Sequence, residues 1–367
     1  MKLIIFIINE RDGSIMKFGK SFYIVLLAVM TALVLAACGS GSDSGTNNDS
    51  GSGGETSSES TEDNSGNTEN SENSSSETIT VTDATGEKQL EGTPQKIVVL
   101  EWVYAENLLS LGVQPAGVAD VQGYKQYVNI EPKLTDSVTD VGTRQEPSLE
   151  KIAQLEPDLI ITTKSRHSSI GSELNEIAPT LVFQPYPGEN GPTQYEEMET
   201  TFKQIAKAVG KQDKAEQVLS NLDQRYSELS TRLSEAGMDG TEILLSQTYS
   251  SNETATLRFF TDNSMVMEIM TKIGLQNAYE SSKFQAYGFA EGTVEDLEPY
   301  QDSTFMHITQ ENDNVIKNQL QGNPVWENLN FVQEDRVYAL PGGTWTFGGP
   351  LSAEVIAEEA VQALTGE

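Results

Sequence analysis

Arginine is scarce enough in this chain to be informative. Beyond residue 77 only six occur: Arg144, Arg166, Arg225, Arg232, Arg258 and Arg336. Arg225 and Arg232 stand beside acids on a helical stretch and read as solvated ion pairs, as does Arg336. Arg144, in Val141-Gly142-Thr143-Arg144, falls just before a helix, and Arg166 follows an apolar run. Arg258 lies between two apolar elements. Ends of strands and the loops beyond them are where open α/β sheets take ligands. The guanidinium fork donates two parallel hydrogen bonds, so these three suit an oxygen-rich anion. Aromatic residues accompany them: Trp102 and Tyr104 after the first strand, Tyr287 and Phe289 in a loop, and Trp345 and Phe347 in Gly342-Gly343-Thr344-Trp345-Thr346-Phe347-Gly348. His167 can contact a ligand or cap the next helix. His307 lies inside an apolar strand and reads as a core residue.

Other chemistries lack their residues. The sequence contains no GxSxG elbow, HExxH pair, P-loop or GxGxxG turn. One cysteine and two histidines exclude a disulfide framework, a cysteine-based zinc site and a thiol nucleophile within the folded part. No enzyme activity is expected. With 23 basic against 55 acidic residues the net charge is −32, which argues against a nucleic-acid partner. Residues 1–38 carry +2 and residues 39–77 carry −9, which leaves −25 on the remainder. An anion site here therefore needs positive charge concentrated locally.

The elements that must position these residues alternate. Short apolar runs at Ile97–Leu100, Pro115–Ala119, Leu159–Thr162 and Leu181–Gln184 read as strands. Helical spacing falls between them at Tyr104–Leu111, Pro147–Leu155 and Ser168–Ile177. That alternation predicts a parallel sheet covered on both faces. Tyr195–Val209 and Gln212–Leu233 then read as helix, broken only around Gly210, and predict a rigid spine between two lobes. The second lobe shows strands at Glu242–Gln247, Thr304–Ile308 and Val337–Leu340. Its helices fall at Ser264–Ile273, from Val294, and at Leu351–Leu364. The expected fold is α/β: two Rossmann-like lobes joined by one long spine helix, with a ligand cleft between them. The boundaries are an N-lobe at 78–209, a connecting helix at 210–236 and a C-lobe at 237–367.

Before residue 78 the chain reads as an address and a tether. Lys17 and Lys20 precede an apolar run, and Leu35-Ala36-Ala37-Cys38 resembles a lipobox. Residues 1–37 are thus expected to be a signal peptide, with Met16 its true start and Cys38 carrying lipid. Residues 38–77 form an acidic linker of Gly, Ser, Thr, Asn, Asp and Glu after the cysteine, with nothing to bury. A lipid-anchored position on the outer face of a cell membrane follows, and the linker suggests a Gram-positive surface.

The stretch Val141-Gly142-Thr143-Arg144-Gln145-Glu146-Pro147-Ser148-Leu149-Glu150, with Ile152-Ala153, Leu155, Pro157-Asp158-Leu159-Ile160-Ile161 and Ser165-Arg166-His167, closely resembles the iron–siderophore substrate-binding proteins of ABC importers. Among these it is most similar to the ferric dicitrate-binding type and its citrate-hydroxamate relatives. The resemblance covers about 290 residues from Thr78 and is looser in the second lobe. It implies a ferric siderophore as ligand and no resident cofactor or direct metal ligand. The partners it implies are an ABC permease with its ATPase, with the protein itself a monomer. It implies ligand contacts from Arg144, Arg166, Arg258 and Trp345; Trp102, Tyr104 and Tyr287 join them as candidate contacts by their placement at strand ends and in a loop. It also implies permease docking through one glutamate per lobe, which fall on Glu150 and Glu295. Haem, cobalamin or another siderophore class on the same fold stand as alternative ligands.

Overall fold

The computed structural model describes residues 78–366. The expected leader, the lipidated Cys38 and the linker lie outside them. An antiparallel hairpin opens the described part: β1 (Thr78–Asp83) and β2 (Gly86–Glu91), which buries Val81 and Leu90.

The first sheet holds β3 (Ile97–Val99), β4 (Gly117–Val118), β5 (Thr139–Asp140), β6 (Leu159–Thr163) and β7 (Thr180–Phe183). Its order is β5-β4-β3-β6-β7 and every pairing is parallel. β3 and β6 are buried along their whole length, as a sheet covered on both faces requires. Helices α1 (Trp102–Ser110), α2 (Val121–Tyr127), α3 (Leu149–Gln154), α4 (Lys164–His167) and α5 (Gly171–Ile177) connect the strands. Winding reverses between β3 and β6, so a crevice opens where those two strands end.

The structure departs from the sequence reading here at several places, among them the unannounced β5 and α4. α2 has too little apolar periodicity to stand out, yet it forms behind Asp120, whose carboxylate accepts from the Gly123 N–H. The single helix expected over Ser168–Ile177 is a short 3₁₀ turn followed by α5.

Next come α6 (Gln194–Ala208) and α7 (Gln212–Glu235), separated by Gly210 at φ +65°. Thr193 starts α6 with a reciprocal capping box to Glu196. Each helix crosses both hydrophobic cores. Tyr195 and Met198 pack in the second core, while Phe202, Ile205 and Ala206 pack in the first. Along α7, Ala215 and Leu219 belong to the first core, and Leu222, Tyr226, Leu229 and Leu233 to the second. The long helix expected as a spine is accompanied by α6, so a helical hairpin spans the lobes.

The second sheet contains β8 (Glu242–Ser251), β9 (Thr254–Phe260), β10 (Gln276–Asn277), β11 (Phe289–Gly292), β12 (Thr304–Thr309) and β13 (Val337–Leu340). Its order is β11-β9-β8-β12-β13, with β10 beside β8. β8, β12 and β13 are parallel, whereas β9 is antiparallel to both of its neighbours. This sheet is therefore mixed, and Arg258 sits within β9 rather than in a loop. The tight β8–β9 turn uses Asn252 and Glu253 at φ +50° and +63° and has no glycine to announce it. Helices α8 (Met265–Lys272), α9 (Pro324–Glu327) and α10 (Asn330–Gln333) flank the sheet, and α11 (Pro350–Thr365) closes the chain. The helix expected from Val294 is a 3₁₀ segment, Val294–Tyr300, that carries Pro299. Among the described residues no helix is long and apolar enough to cross a membrane.

α11 buries Ala353, Ile356, Ala357, Ala360 and Val361 in the second core, while Leu351 and Val355 pack against the first. Glu106 of α1 reaches its N-terminus and accepts from the Ser352 N–H at 2.7 Å and the Ser352 hydroxyl at 2.6 Å. A Cβ at Gly348 would come within 2.5 Å of Glu106 Oε2, and one at Gly349 within 2.3 Å of Asn107 Oδ1. Glycine is needed at both positions for this approach.

Candidate functional site

The C-terminal ends of both sheets meet at a cavity of about 500 Å³. From the first lobe Trp102, Gln126, Tyr127 and Arg144 line it. The second lobe contributes the end of β8 (Gln247 to Ser250), Arg258, Gln310, Asp313 and Trp345. Each lobe thus opens at its own switch point, β3/β6 in one and β8/β12 in the other. The volume lies within the range of small-molecule sites.

The loop before α3 carries Arg144 to this place. Gly142 turns it at φ +108°, and Val141 O accepts from the Ser148 N–H at 2.7 Å. His167 holds the loop from below. Its Nε2 donates to the Arg144 carbonyl at 2.8 Å, so its Nδ1 accepts from Thr162 Oγ1 at 2.6 Å. Burial lowers the His167 pKa, against the opposing effect of that carbonyl, and the ring stays neutral. Of the two roles weighed for His167, the structure shows neither. The ring is a buried strut beneath a site arginine.

Arg144 and Arg166 come together on Glu101, a buried carboxylate that follows β3. Arg144 Nη1 donates to Oε1 at 2.9 Å and Arg166 Nε to Oε2 at 2.6 Å. Burial pulls the Arg166 pKa down, but Glu101 outweighs it and the net shift is upward. Sequence reasoning missed Glu101. Its signal was an acid directly after the apolar run Ile97–Leu100, at a strand end, in a chain where acids are too common to notice. The Arg144 guanidinium lies 3.6 Å from the Trp102 ring centroid and 5.8 Å from that of Trp345. Trp102 is buried and donates from Nε1 to the carbonyls of Ala119 and Asp120 at 3.1 Å. Trp345 is half-buried, 5.0 Å from Trp102 between ring centroids, and its indole Nε1 has no protein acceptor.

Arg258 faces this group across the cavity. It lies over Tyr249 and Phe289, at 4.8 and 4.5 Å, and donates to Gln247 Oε1 and Glu291 Oε1 at 3.1 and 3.4 Å. Tyr249 also donates to Glu291, at 2.7 Å. Asp313 accepts from the Ser250 N–H at 2.8 Å and its hydroxyl at 2.5 Å.

Four expected ligand residues, Trp102, Arg144, Arg258 and Trp345, therefore line one cavity. Arg166 adjoins it through Glu101. Tyr287 is 54 % exposed and packs on Tyr186 with ring centroids 5.0 Å apart, outside the cavity wall. Tyr104 points elsewhere. It is fully buried against Phe183, at 5.7 Å, because α1 places it two residues on from Trp102, on the opposite side of the helix. His307 is a core residue with Nδ1 2.7 Å from Thr309 Oγ1, and burial lowers its pKa to about 4. Arg336 pairs with Glu334 and donates to main-chain carbonyls, while Arg225 joins Glu228 and Glu358. Glu150 and Glu295 are both exposed in the first turn of their elements, behind Ser148 and Thr293.

Residues 97–343 match the sequence model of a family described as periplasmic binding protein. The chain is 28 % identical over 338 residues to the Fe(3+)-citrate-binding protein YfmC of Bacillus subtilis, covering 92 % of this chain and 96 % of that one. It is 28 % identical to the Fe(3+) dicitrate-binding periplasmic protein FecB of Escherichia coli, over 77 % of this chain and 89 % of the relative. Among solved structures, the siderophore-binding protein FhuD of Vibrio cholerae with Fe3+–Desferal bound superposes with a TM-score of 0.66 at 28 % identity. That match covers 74 % of this chain and 98 % of the other.

Proposed function

The chain belongs to the periplasmic binding protein family, and from that premise we propose that it captures a ferric siderophore of citrate or citrate-hydroxamate type and hands it to an ABC permease. The observation that carries this reading is the cavity between the sheet ends, with Arg144 and Trp345 on one side and Arg258 on the other. A siderophore already fills the coordination sphere of its iron. The protein need supply no metal ligand and reads only the surface of the complex. Trp102, Tyr127 and Trp345 offer flat apolar area, while the arginines, Gln247 and Gln310 offer donors to outward-facing oxygens. Arg166 backs Arg144 through Glu101. Tyr287, at the rim, is proposed to meet the part of the ligand that protrudes.

The finer features belong to the same proposal. Cys38 carries the lipid and holds the protein on the outer membrane face, and 38–77 is its tether. The lobes are 78–209 and 237–367, with 210–236 between them. A single copy delivers the ligand, and Glu150 and Glu295 dock on permease arginines. Their first-turn placement on elements that start at the cleft side of each sheet supports a shared docking face.

Titration of the purified full chain, followed by intrinsic fluorescence, tests the binding step. Trp102, Trp326 and Trp345 are the only indoles, and two of them line the cavity. Saturable micromolar or tighter quenching by a ferric citrate or citrate-hydroxamate complex is expected, with none by iron-free ligand. Flat responses to every ferric siderophore would move the assignment to haem or cobalamin.

A further inference from the structure

Along β12 the side chains alternate. Met306 and Ile308 enter the second core beneath α11, while Phe305 and His307 stack on the opposite face of the sheet, with ring centroids 5.9 Å apart. On that face a second cavity of about 500 Å³ lies between β12, β13, α9 and a single π-helical turn, Ile316–Leu320. It shares no residue with the cavity between the sheet ends. Its floor is apolar and fixed. Trp326 is 5 % exposed and packs edge-on against Phe305 and Phe331, at 5.5 and 5.9 Å between ring centroids. His307, 7 % exposed, adds a buried polar group to the wall. Its Nδ1 lies 2.7 Å from Thr309 Oγ1, whose other neighbour, at 2.5 Å, is Thr248 Oγ1. That chain is complete with the ring hydrogen on Nε2. Nε2 has no protein partner and is left to the cavity as a donor. Two opposite charges stand at the mouth: Lys317 on the π-helical turn and Asp335 on the turn before β13. Both are exposed, and among the described residues neither side chain has an ion-pair or hydrogen-bond partner.

We propose that this cavity binds a small zwitterion with an apolar body, the chemistry of a free aliphatic or aromatic amino acid. The carboxylate meets Lys317 and the His307 Nε2–H, the ammonium meets Asp335, and the side chain lies on Trp326. Simpler ions fit less well. A bare carboxylate enters a strongly acidic domain against its net charge. A bare ammonium leaves Lys317 and the His307 donor unmatched. A zwitterion is neutral overall and answers each group. This site goes beyond the siderophore reading and does not rest on it.

Calorimetric titration of the full chain with L-leucine, leucinamide and isocaproate tests it. Leucinamide lacks the carboxylate and isocaproate lacks the ammonium. Leucine is expected to bind saturably, at about millimolar or tighter, and at least about tenfold tighter than either analogue. Lys317→Gln is expected to narrow the gap between leucine and leucinamide by about three- to tenfold, and Asp335→Asn the gap between leucine and isocaproate by the same factor. Both side chains are exposed, so neither variant disturbs the core. A saturating ferric siderophore is expected to leave leucine binding unchanged. Four results would each overturn the proposal: no saturable binding of leucine or phenylalanine up to about 10 mM, analogues that bind as well as leucine, displacement of leucine by the ferric complex, or gaps unmoved by both variants. Failure of every ferric siderophore to bind would remove the function proposed above and leave this site untouched.

Discussion

At the residue scale, the site works by fixing a long side chain in advance. An arginine free in solvent loses rotamer entropy when it meets a ligand. Arg144 has already lost it, clamped between the Glu101 carboxylate and the Trp102 ring. Arg144→Ala is therefore expected to remove both a donor and the stacking partner of Trp102 and to weaken binding about 10- to 100-fold, measured by titration. His167→Ala should act one step back. It removes the donor to the Arg144 carbonyl without touching the cavity, so binding weakens about three- to tenfold while thermal stability also falls. A variant that lost stability but kept full affinity would assign His167 to the fold alone.

At the element scale, α11, like α6 and α7, packs in both cores. Its N-terminus meets the Glu106 carboxylate, which is fully buried with only Ser352 and neighbouring backbone N–H groups as partners. Burial outweighs those donors and pushes the Glu106 pKa up to about 7. The folded protein thus holds a proton here that the unfolded chain releases near pH 4.5. The contribution of Glu106 to stability is greatest below that value and is lost as pH rises toward 7. Between pH 5 and 8 the native protein is expected to lose about 2–3 kcal/mol that Glu106→Gln does not, read from denaturant melts at both pH values. Equal pH slopes in the two proteins would show that the carboxyl stays charged throughout. The helical hairpin offers a second test. Leu229 of α7 is fully buried in the second core, so Leu229→Ala should cost about 2–5 kcal/mol.

At the scale of the whole molecule, the lobes are joined by more than one connection. α6 and α7 each pass through both cores, Glu106 joins α1 to α11, and the Asn129 N–H donates to the Gly343 carbonyl at 3.0 Å. Every one of these contacts would have to break for a wide hinge motion. Only a small rotation between lobes is expected on ligand binding, checked by small-angle scattering with and without ferric ligand. A rotation of tens of degrees would contradict it. Delivery is a separate property. Reversing both exposed acids, Glu150→Arg with Glu295→Arg, is expected to leave ligand affinity unchanged and to abolish uptake in cells that depend on this importer.

Strand and helix order was legible because it is written in short-range signals. Buried strands such as Ile97–Val99 and Leu159–Thr163 are unbroken apolar runs, and Gly112, Gly210 and Gly274 punctuate helices at positive φ. Scarcity made Arg144 and Arg258 visible, and their place beside strands pointed to the crevice. The spacing of Arg144, Pro147 and Arg166 also carried the family resemblance. Three things needed the folded chain. β9 stayed hidden because its turn has no glycine and its partners are set by pairing across the sheet. Tyr104 could not be told from Trp102, two positions away, until the rotation of α1 sent one ring to the core and the other to the cleft. Glu101 was one acid among many until three distant segments brought it between two arginines. Local propensity depends on neighbours along the chain, which the sequence shows. The charge of a site depends on neighbours in space, which only tertiary packing decides.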